Sequence, residues 1–257
     1  MNTGTTSTIN FSIMSERKLS VTNALIIINA VVFFVGIMVQ KEALLGVPFP
    51  QAPKTSIFEI TCAYSWFTCF LECQFWRIIT YQFVHANFGH ILFNMWALYF
   101  FGPAVESAMG PRKFLVFYLT CGIAGALFSS LLAGLNLYSA IPPLPQNEII
   151  CNEIAAFAGY SGHVNCWEMI PLVGASASIY GVMVACAFMY PDVMISLIFP
   201  PVTLRLRTFA LIIIGIASAT ILFNLSNAGG EAGHLGGIIM GALIMSVWKY
   251  RIMSRYR

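Results

Sequence analysis

GASASIYG, at residues 174–181, places two serines and a tyrosine inside an apolar run that extends from residue 171 to residue 190. A run of about 20 mainly apolar residues is long enough to cross a lipid bilayer as a helix. Hydroxyl groups in such a segment need partners on neighbouring helices or a water-filled cavity. The stretch therefore predicts a membrane helix whose polar side chains meet groups from other parts of the chain.

The composition of the whole chain indicates a membrane protein. Of its 257 residues, 58% are hydrophobic and 9% are charged, and the mean hydropathy is +0.79. Soluble domains carry about 25% charged residues, so a soluble fold is disfavoured. The net charge of +3 is small, and no basic run indicates nucleic-acid binding. We expect the lipid bilayer as a partner and no nucleic acid.

Six stretches are apolar enough, or nearly so, to form spanning helices. They occupy about 23–40, 87–106, 114–134, 171–190, 208–225 and 232–248. The first is too long for a cleaved signal peptide and lacks a small-residue cleavage site, so we expect it to remain as a span. The predicted fold is an all-α polytopic membrane protein, built as a bundle of six transmembrane helices.

The remaining segments complete the predicted organisation. Residues 1–22 are rich in Ser and Thr and typical of a disordered polar tail, 23–250 would form the membrane domain, and 251–257 a basic C-terminus. The long first loop, 41–86, contains SWFTCFLECQFWRII. This stretch is amphipathic but too broken to span, so we expect it to be partly embedded in the membrane interface.

The distribution of positive charge predicts the orientation. With the N-terminus in the cytoplasm, ten Lys and Arg residues fall on the inner side and three on the outer side. The positive-inside rule favours this arrangement, with both termini cytoplasmic. We expect a multi-pass protein of the plasma (inner) membrane if the source is bacterial.

Five cysteines fall in the predicted outer loops, at Cys62, Cys69, Cys73, Cys151 and Cys166. The outer side is usually oxidising, so one or two disulfides are plausible there. Cys151 with Cys166 is one option, and free or buried thiols are the alternative. The spacings are poor for zinc, and we expect no metal and no cofactor.

Polar residues gather at the beginning of the second, fourth and sixth spans, which all run from outside to inside. Helix rise therefore brings their early residues to a similar depth in the same leaflet. Small residues, including the GxxxG of Gly237 and Gly241, would let these helices approach closely. The polar set consists of His85, His90, Asn94, Ser176, Tyr180 and His234.

A serine and a histidine on facing helices are suited to nucleophilic catalysis. A serine hydroxyl is a weak nucleophile until a base removes its proton, and His234 is a candidate base for Ser176. The attack creates an oxyanion, for which Asn94, His90 and the backbone N–H of Ser176 are candidate donors. Tyr180 lies one turn below Ser176 and is expected to pack against the His234 ring.

No acidic residue is expected to complete a catalytic triad. Glu106 lies near the cytoplasmic end of the second span, and Glu231 lies in the turn before the sixth. We therefore predict a Ser–His dyad. The same spacing is compatible with a transporter that has a polar site at the membrane midplane, so spacing alone does not decide between catalysis and transport.

Five short motifs occur in one order along the predicted spans. They are WR at 76–77, HxxxxHxxxN at 85–94, AVE at 104–106, GxSx at 174–177 and AGHLGG at 232–237. From about Phe75 to Gly241 the chain thereby resembles the rhomboid intramembrane serine proteases. One departure is Ala177, because the family often has GxSG, and the added methyl could crowd the oxyanion site or the approach of the sixth span.

The resemblance implies a serine-type endopeptidase that cleaves transmembrane segments of membrane proteins near the extracytoplasmic face. It implies Ser176 as the nucleophile and His234 as the base, with Tyr180 stacked on the histidine. Asn94 and His90 would surround the oxyanion, with His85 nearby. Glu106 would be a structural hydrogen-bonding residue.

Two other interpretations stay open. A catalytically weak or inactive rhomboid-like protein would bind membrane proteins without cleaving them. A small transporter would carry a charged site at the midplane, and the sequence places no charge deep in any predicted span. The substrate and the oligomeric state do not follow from the sequence.

Overall fold

The computed structural model describes residues 19–44, 47–48, 54–138, 145–196, 201–225 and 227–254, and these are mostly helical. A π-helical turn occupies Phe67–Leu71, and 3₁₀ turns occupy Tyr81–Phe83 and Cys166–Met169. The α-helices in the described ranges are α1 (Val21–Met38), α2 (Ile57–Cys62), α3 (Arg77–Thr80), α4 (Phe88–Met109), α5 (Pro111–Gly134), α6 (Pro145–Phe157), α7 (Ser176–Met189), α8 (Leu206–Leu222) and α9 (Ala228–Ser254).

Four helices, α1, α4, α5 and α9, are long and apolar enough to cross a membrane. Two further apolar helices, α7 and α8, have 14 and 17 residues. Every predicted span therefore overlaps an apolar helix, while the count of six spans remains a prediction. The helix α7 is shorter than the predicted run 171–190 because the chain is extended before it, where Leu172 pairs with Tyr64.

The connections contain strands that an all-α prediction did not anticipate. An antiparallel sheet of three strands follows α1, in the spatial order Val47–Pro48, Gln40–Leu44 and Lys54–Ser56, and a sheet of two strands precedes α8. Runs of two to five residues are too short to show a clear period-two pattern. The strands are β1 (Gln40–Leu44), β2 (Val47–Pro48), β3 (Lys54–Ser56), β4 (Met194–Ser196) and β5 (Thr203–Arg205).

The structure describes only parts of the two predicted tails. Residues 1–18 and 255–257 lie outside the described residues. The helix α9 continues to Ser254, so the first four residues of the predicted basic C-terminus are helical.

The centre of the bundle is the contact of α7 with α5 and α9, and glycines make it possible. A Cβ at Gly181 would lie 2.6 Å from the Cys121 sulfur of α5, and a Cβ at Gly241 would lie 2.9 Å from the Gly181 Cα. A Cβ at Gly237 would overlap the carbonyl of Ala177. The GxxxG face of α9 therefore lies directly on the backbone of α7.

Glu106 of α4 holds the beginning of α1. Its carboxylate accepts hydrogen bonds from the backbone N–H of Val21 at 2.7 Å and of Thr22 at 2.8 Å, and from the Thr22 hydroxyl at 2.7 Å. These backbone donors are unpaired at any helix N-terminus, where a negative charge is also favourable. Glu106 therefore ties two apolar helices together at the end of the bundle.

A disulfide joins Cys151 of α6 to Cys166, which confirms one of the two options left open by the sequence. It is packed in a buried cluster with Phe67, Ile154 and Met169. The cluster links α6 to the π-helical turn of the first loop. The free cysteines of the described residues are Cys62, Cys69, Cys73, Cys121 and Cys186.

Replacing Glu106 with Gln should lower the free energy of unfolding by about 1–3 kcal/mol. The Gln side chain is neutral and has one accepting oxygen, whereas the carboxylate is charged and has two. Equilibrium unfolding of the purified protein in detergent measures this. Glu153→Gln, an exposed change on α6, is the control. Equal stability of the two variants would contradict the assigned role of Glu106.

Gly237→Ala should destabilise the protein by about 1–3 kcal/mol, since the new methyl overlaps the α7 backbone. Gly215→Ala on α8 is the matched control, because nothing lies within 4 Å of the added Cβ there. Thermal unfolding in detergent should separate the two variants. A Gly237→Ala protein as stable as Gly215→Ala would show that the α7–α9 contact is looser than described.

Candidate active site

Ser176 begins α7, directly after an extended segment that needs a glycine. Gly174 has φ +118°, and its N–H donates to the Tyr81 carbonyl at 3.0 Å. A Cβ at position 174 would lie 2.6 Å from the His90 Nε2. Glycine is therefore required by both backbone conformation and space. This turn places the Ser176 side chain at the start of a helix that is otherwise buried in the bundle.

The structure brings Ser176 and His234 together across the α7–α9 contact. The distance from Ser176 Oγ to His234 Nε2 is 2.8 Å, which is within hydrogen-bonding range. Tyr180 stacks on the histidine, with ring centroids 4.1 Å apart and planes 9° apart. The imidazole is therefore held on one face by an aromatic ring while one nitrogen meets the serine hydroxyl.

Glu231 contacts the other nitrogen of the same ring, so the expectation that no acidic residue reaches the histidine is wrong. Its Oε2 lies 3.0 Å from His234 Nδ1. The sequence placed Glu231 in a turn before the helix, but α9 begins at Ala228. Residues three apart in a helix lie on one face, so the spacing E-x-x-H was the signal that could have revealed this contact.

Asn94 and His90 line one cavity of about 500 Å³ together with Ser176, Tyr180 and His234. Asn94 is buried, and its Nδ2 has no hydrogen-bond partner among the described residues. A buried N–H donor without a partner is costly, so such a group points to a ligand or a reacting species. Asn94 lines the same cavity as the serine, where an N–H donor is suited to a negatively charged oxygen.

His85 does not line that cavity but lies behind His90, with ring centroids 5.0 Å apart. It is buried, and its Nε2 accepts the backbone N–H of Ala175 at 3.5 Å. Burial, and secondarily the neighbouring His90, lowers the pKa of His85 to about 3. The ring is therefore neutral near pH 7 and supports the turn before Ser176.

The Ala177 methyl points away from the cavity. It is buried against α5, where a Cβ at Gly125 would lie 2.5 Å from the Ala177 Cβ. Ala177 is not among the residues that line the cavity. The departure from GxSG is thus accommodated by a glycine on a neighbouring helix.

The chemistry that these groups support is acyl transfer. A hydroxyl bonded to an imidazole can be deprotonated as it attacks, and nearby N–H donors can stabilise the resulting oxyanion. Within the described part of the chain, no three His, Cys, Asp or Glu side chains cluster so as to hold a metal ion.

The known proteins to which this chain is similar in sequence carry rhomboid names. The chain is 27% identical over 241 residues to the rhomboid protease AarA of Providencia stuartii, covering 91% of this chain and 76% of that protein. It is 29% identical over 181 residues to RHOMBOID-like protein 12, mitochondrial, of Arabidopsis thaliana, covering 70% and 47%. It is also 33% identical over 79 residues to inactive RHOMBOID-like protein 8 of Arabidopsis thaliana, covering 31% and 22%.

A family model described as the Rhomboid domain matches residues 72–251, which is more than half of the chain and includes every residue of the cavity described above. The chain belongs to the rhomboid family.

Proposed function

We propose that this chain is an active intramembrane serine endopeptidase, which cleaves transmembrane segments of membrane proteins near the extracytoplasmic face. The observation that carries the proposal is the 2.8 Å contact between Ser176 Oγ and His234 Nε2. Both residues line a cavity that is also lined by Asn94, whose buried Nδ2 has no hydrogen-bond partner among the described residues. Relatives named as rhomboid proteases support the same reaction class.

In the acylation step, Ser176 Oγ attacks the carbonyl carbon of the scissile peptide bond while His234 Nε2 accepts the hydroxyl proton. The resulting oxyanion accepts hydrogen bonds from Asn94 Nδ2 and the Ser176 backbone N–H, with His90 beside them. The tetrahedral intermediate then breaks the C–N bond. The leaving amine takes the proton from His234, and the acyl group stays on the serine.

In the deacylation step, a water molecule attacks the acyl carbon while His234 Nε2 accepts its proton. The second tetrahedral intermediate uses the same donors. It collapses to a carboxylic acid and returns the proton to the Ser176 oxygen. Tyr180 keeps the imidazole in place by stacking through both steps.

We further propose the membrane arrangement expected from the sequence, with six spans and cytoplasmic termini. The proposed interfacial element is the first loop, in which Phe75 and Trp76 are more than half exposed. The buried Arg77 anchors it by donating to the carbonyls of Ile60 and Ala63, each at 2.8 Å. Exposed aromatic side chains on a firmly held loop suit the boundary between headgroups and hydrocarbon.

An inactive rhomboid-like protein is the rival function, since one relative carries that description. The hydrogen-bonded Ser176 and His234 favour activity over this alternative. A probe that reacts with activated serines distinguishes the two.

Ser176→Ala and His234→Ala should each lower the cleavage rate of a model transmembrane substrate by at least about 10³-fold, because the nucleophile or its base is removed. The measurement uses purified protein in liposomes, with fluorophosphonate labelling as a second readout. Ser246→Ala is the matched control, since this exposed hydroxyl donates to the Ala242 carbonyl of its own helix. Cleavage by the Ser176→Ala protein at the wild-type rate would refute the proposed function.

A further inference from the structure

We infer that Glu231 is a positioning residue that selects the tautomer of His234, so that the site operates as Ser–His–Glu rather than as a dyad. The inference rests on the proposed function. The His234 ring makes two contacts: its Nδ1 lies 3.0 Å from Glu231 Oε2, and its Nε2 lies 2.8 Å from Ser176 Oγ.

The carboxylate determines which nitrogen carries the proton. An ionised carboxylate only accepts hydrogen bonds, so Nδ1 must be the donor in the pair of Glu231 and His234. A neutral imidazole has one N–H, and Nε2 is then left with its lone pair. That lone pair is what the Ser176 hydroxyl needs as its acceptor. The opposite tautomer would direct an N–H at the serine oxygen and leave it without a base.

The ring is held from three sides. Tyr180 covers one face, Glu231 meets one nitrogen and Ser176 meets the other. Stacking fixes the plane of the imidazole but does not distinguish its two nitrogens. Only the carboxylate contact makes that distinction, so the two neighbours have separate roles.

Burial makes the carboxylate contact effective. The side chains of His234 and Glu231 are 13% and 15% exposed, so water competes weakly for the hydrogen bond. Glu231 also lies in the first turn of α9, where the helix N-terminus favours a negative charge. The position therefore keeps a carboxylate in contact with the ring at low cost.

Two other titratable side chains of the described residues lie beside the His234 ring, and neither carries a negative charge near pH 7. They are His90 of α4, which lines the same cavity, and Tyr180 of α7, which stacks on the ring. The basic side chains of α5 and α8, at Arg112, Lys113 and Arg207, lie in the first turns of those helices, at the ends away from this site.

During attack the serine proton moves to His234 Nε2, and the proton on Nδ1 stays in place. The ionised carboxylate of Glu231 then stabilises the imidazolium.

The test compares Glu231→Ala, Glu231→Gln and Glu231→Asp with the wild type, using Glu153→Gln as the control. Protein labelled with ¹⁵N-histidine in detergent reports which nitrogen of the neutral ring is protonated, and His234→Ala assigns the resonances. Cleavage assays report kcat and KM separately, and thermal unfolding reports folding.

We expect wild-type His234 to carry its proton on Nδ1 and Glu231→Ala to shift it toward Nε2. In Glu231→Ala and Glu231→Gln, kcat should fall by about 10²-fold or more, with KM changed by less than about threefold. Glu231→Asp should recover part of kcat, because it restores the negative charge on a shorter side chain. Unfolding would also break the contact between Glu231 and His234, so the tautomer is compared only in variants that thermal unfolding shows to be folded.

An unchanged tautomer together with an unchanged kcat in Glu231→Ala would overturn the inference and leave the proposed function intact. A wild-type protein that neither cleaves nor reacts with the probe would refute the proposed function. In that case the tautomer comparison would still decide whether Glu231 orients His234.

Discussion

The close approach of α7 and α9 is the constraint on which the rest of the structure depends. Their backbones touch because Gly237 faces the Ala177 carbonyl without a side chain between them. A hydroxyl and an imidazole borne by two helices can share a proton only at such a separation. The hydrogen bond of 2.8 Å between Ser176 and His234 is therefore a result of helix packing as much as of residue identity.

Several polar groups elsewhere in the bundle are paired in ways that secure this packing. Glu106 accepts hydrogen bonds from the backbone N–H groups at the beginning of α1, and the Ser178 hydroxyl donates to the Gln82 side chain at 2.8 Å. Asn94 differs, because its amide donor is buried beside the serine and has no partner among the described residues. Such a donor costs stability in the resting protein, and in the proposed mechanism it gains its partner when negative charge develops on the substrate oxygen.

Hydrophobic run length predicted the apolar helices, and the alternating direction of successive spans predicted that Ser176 meets His234. The first property can be read from the sequence locally, and the second from the order of the spans. The prediction missed Glu231 because the contact depends on where α9 begins, and helix ends are weakly encoded. The strands β1–β5 depend on pairing between short segments, which no local pattern reports. The bond between Cys151 and Cys166 was one of the two options that the sequence left open, since pairing is decided by three-dimensional proximity.

Ala177 and Gly125 share one small volume where α5, α7 and α9 converge. The Ala177 methyl fills space that a Cβ on Gly125 would need, and the Gly233 carbonyl closes the same space from α9. Gly125 is therefore confined from two helices at once, and replacing Ala177 with glycine would still leave the Gly233 carbonyl 2.7 Å from a Cβ there. An alanine after the serine is thus compatible with this junction only as long as position 125 carries no side chain.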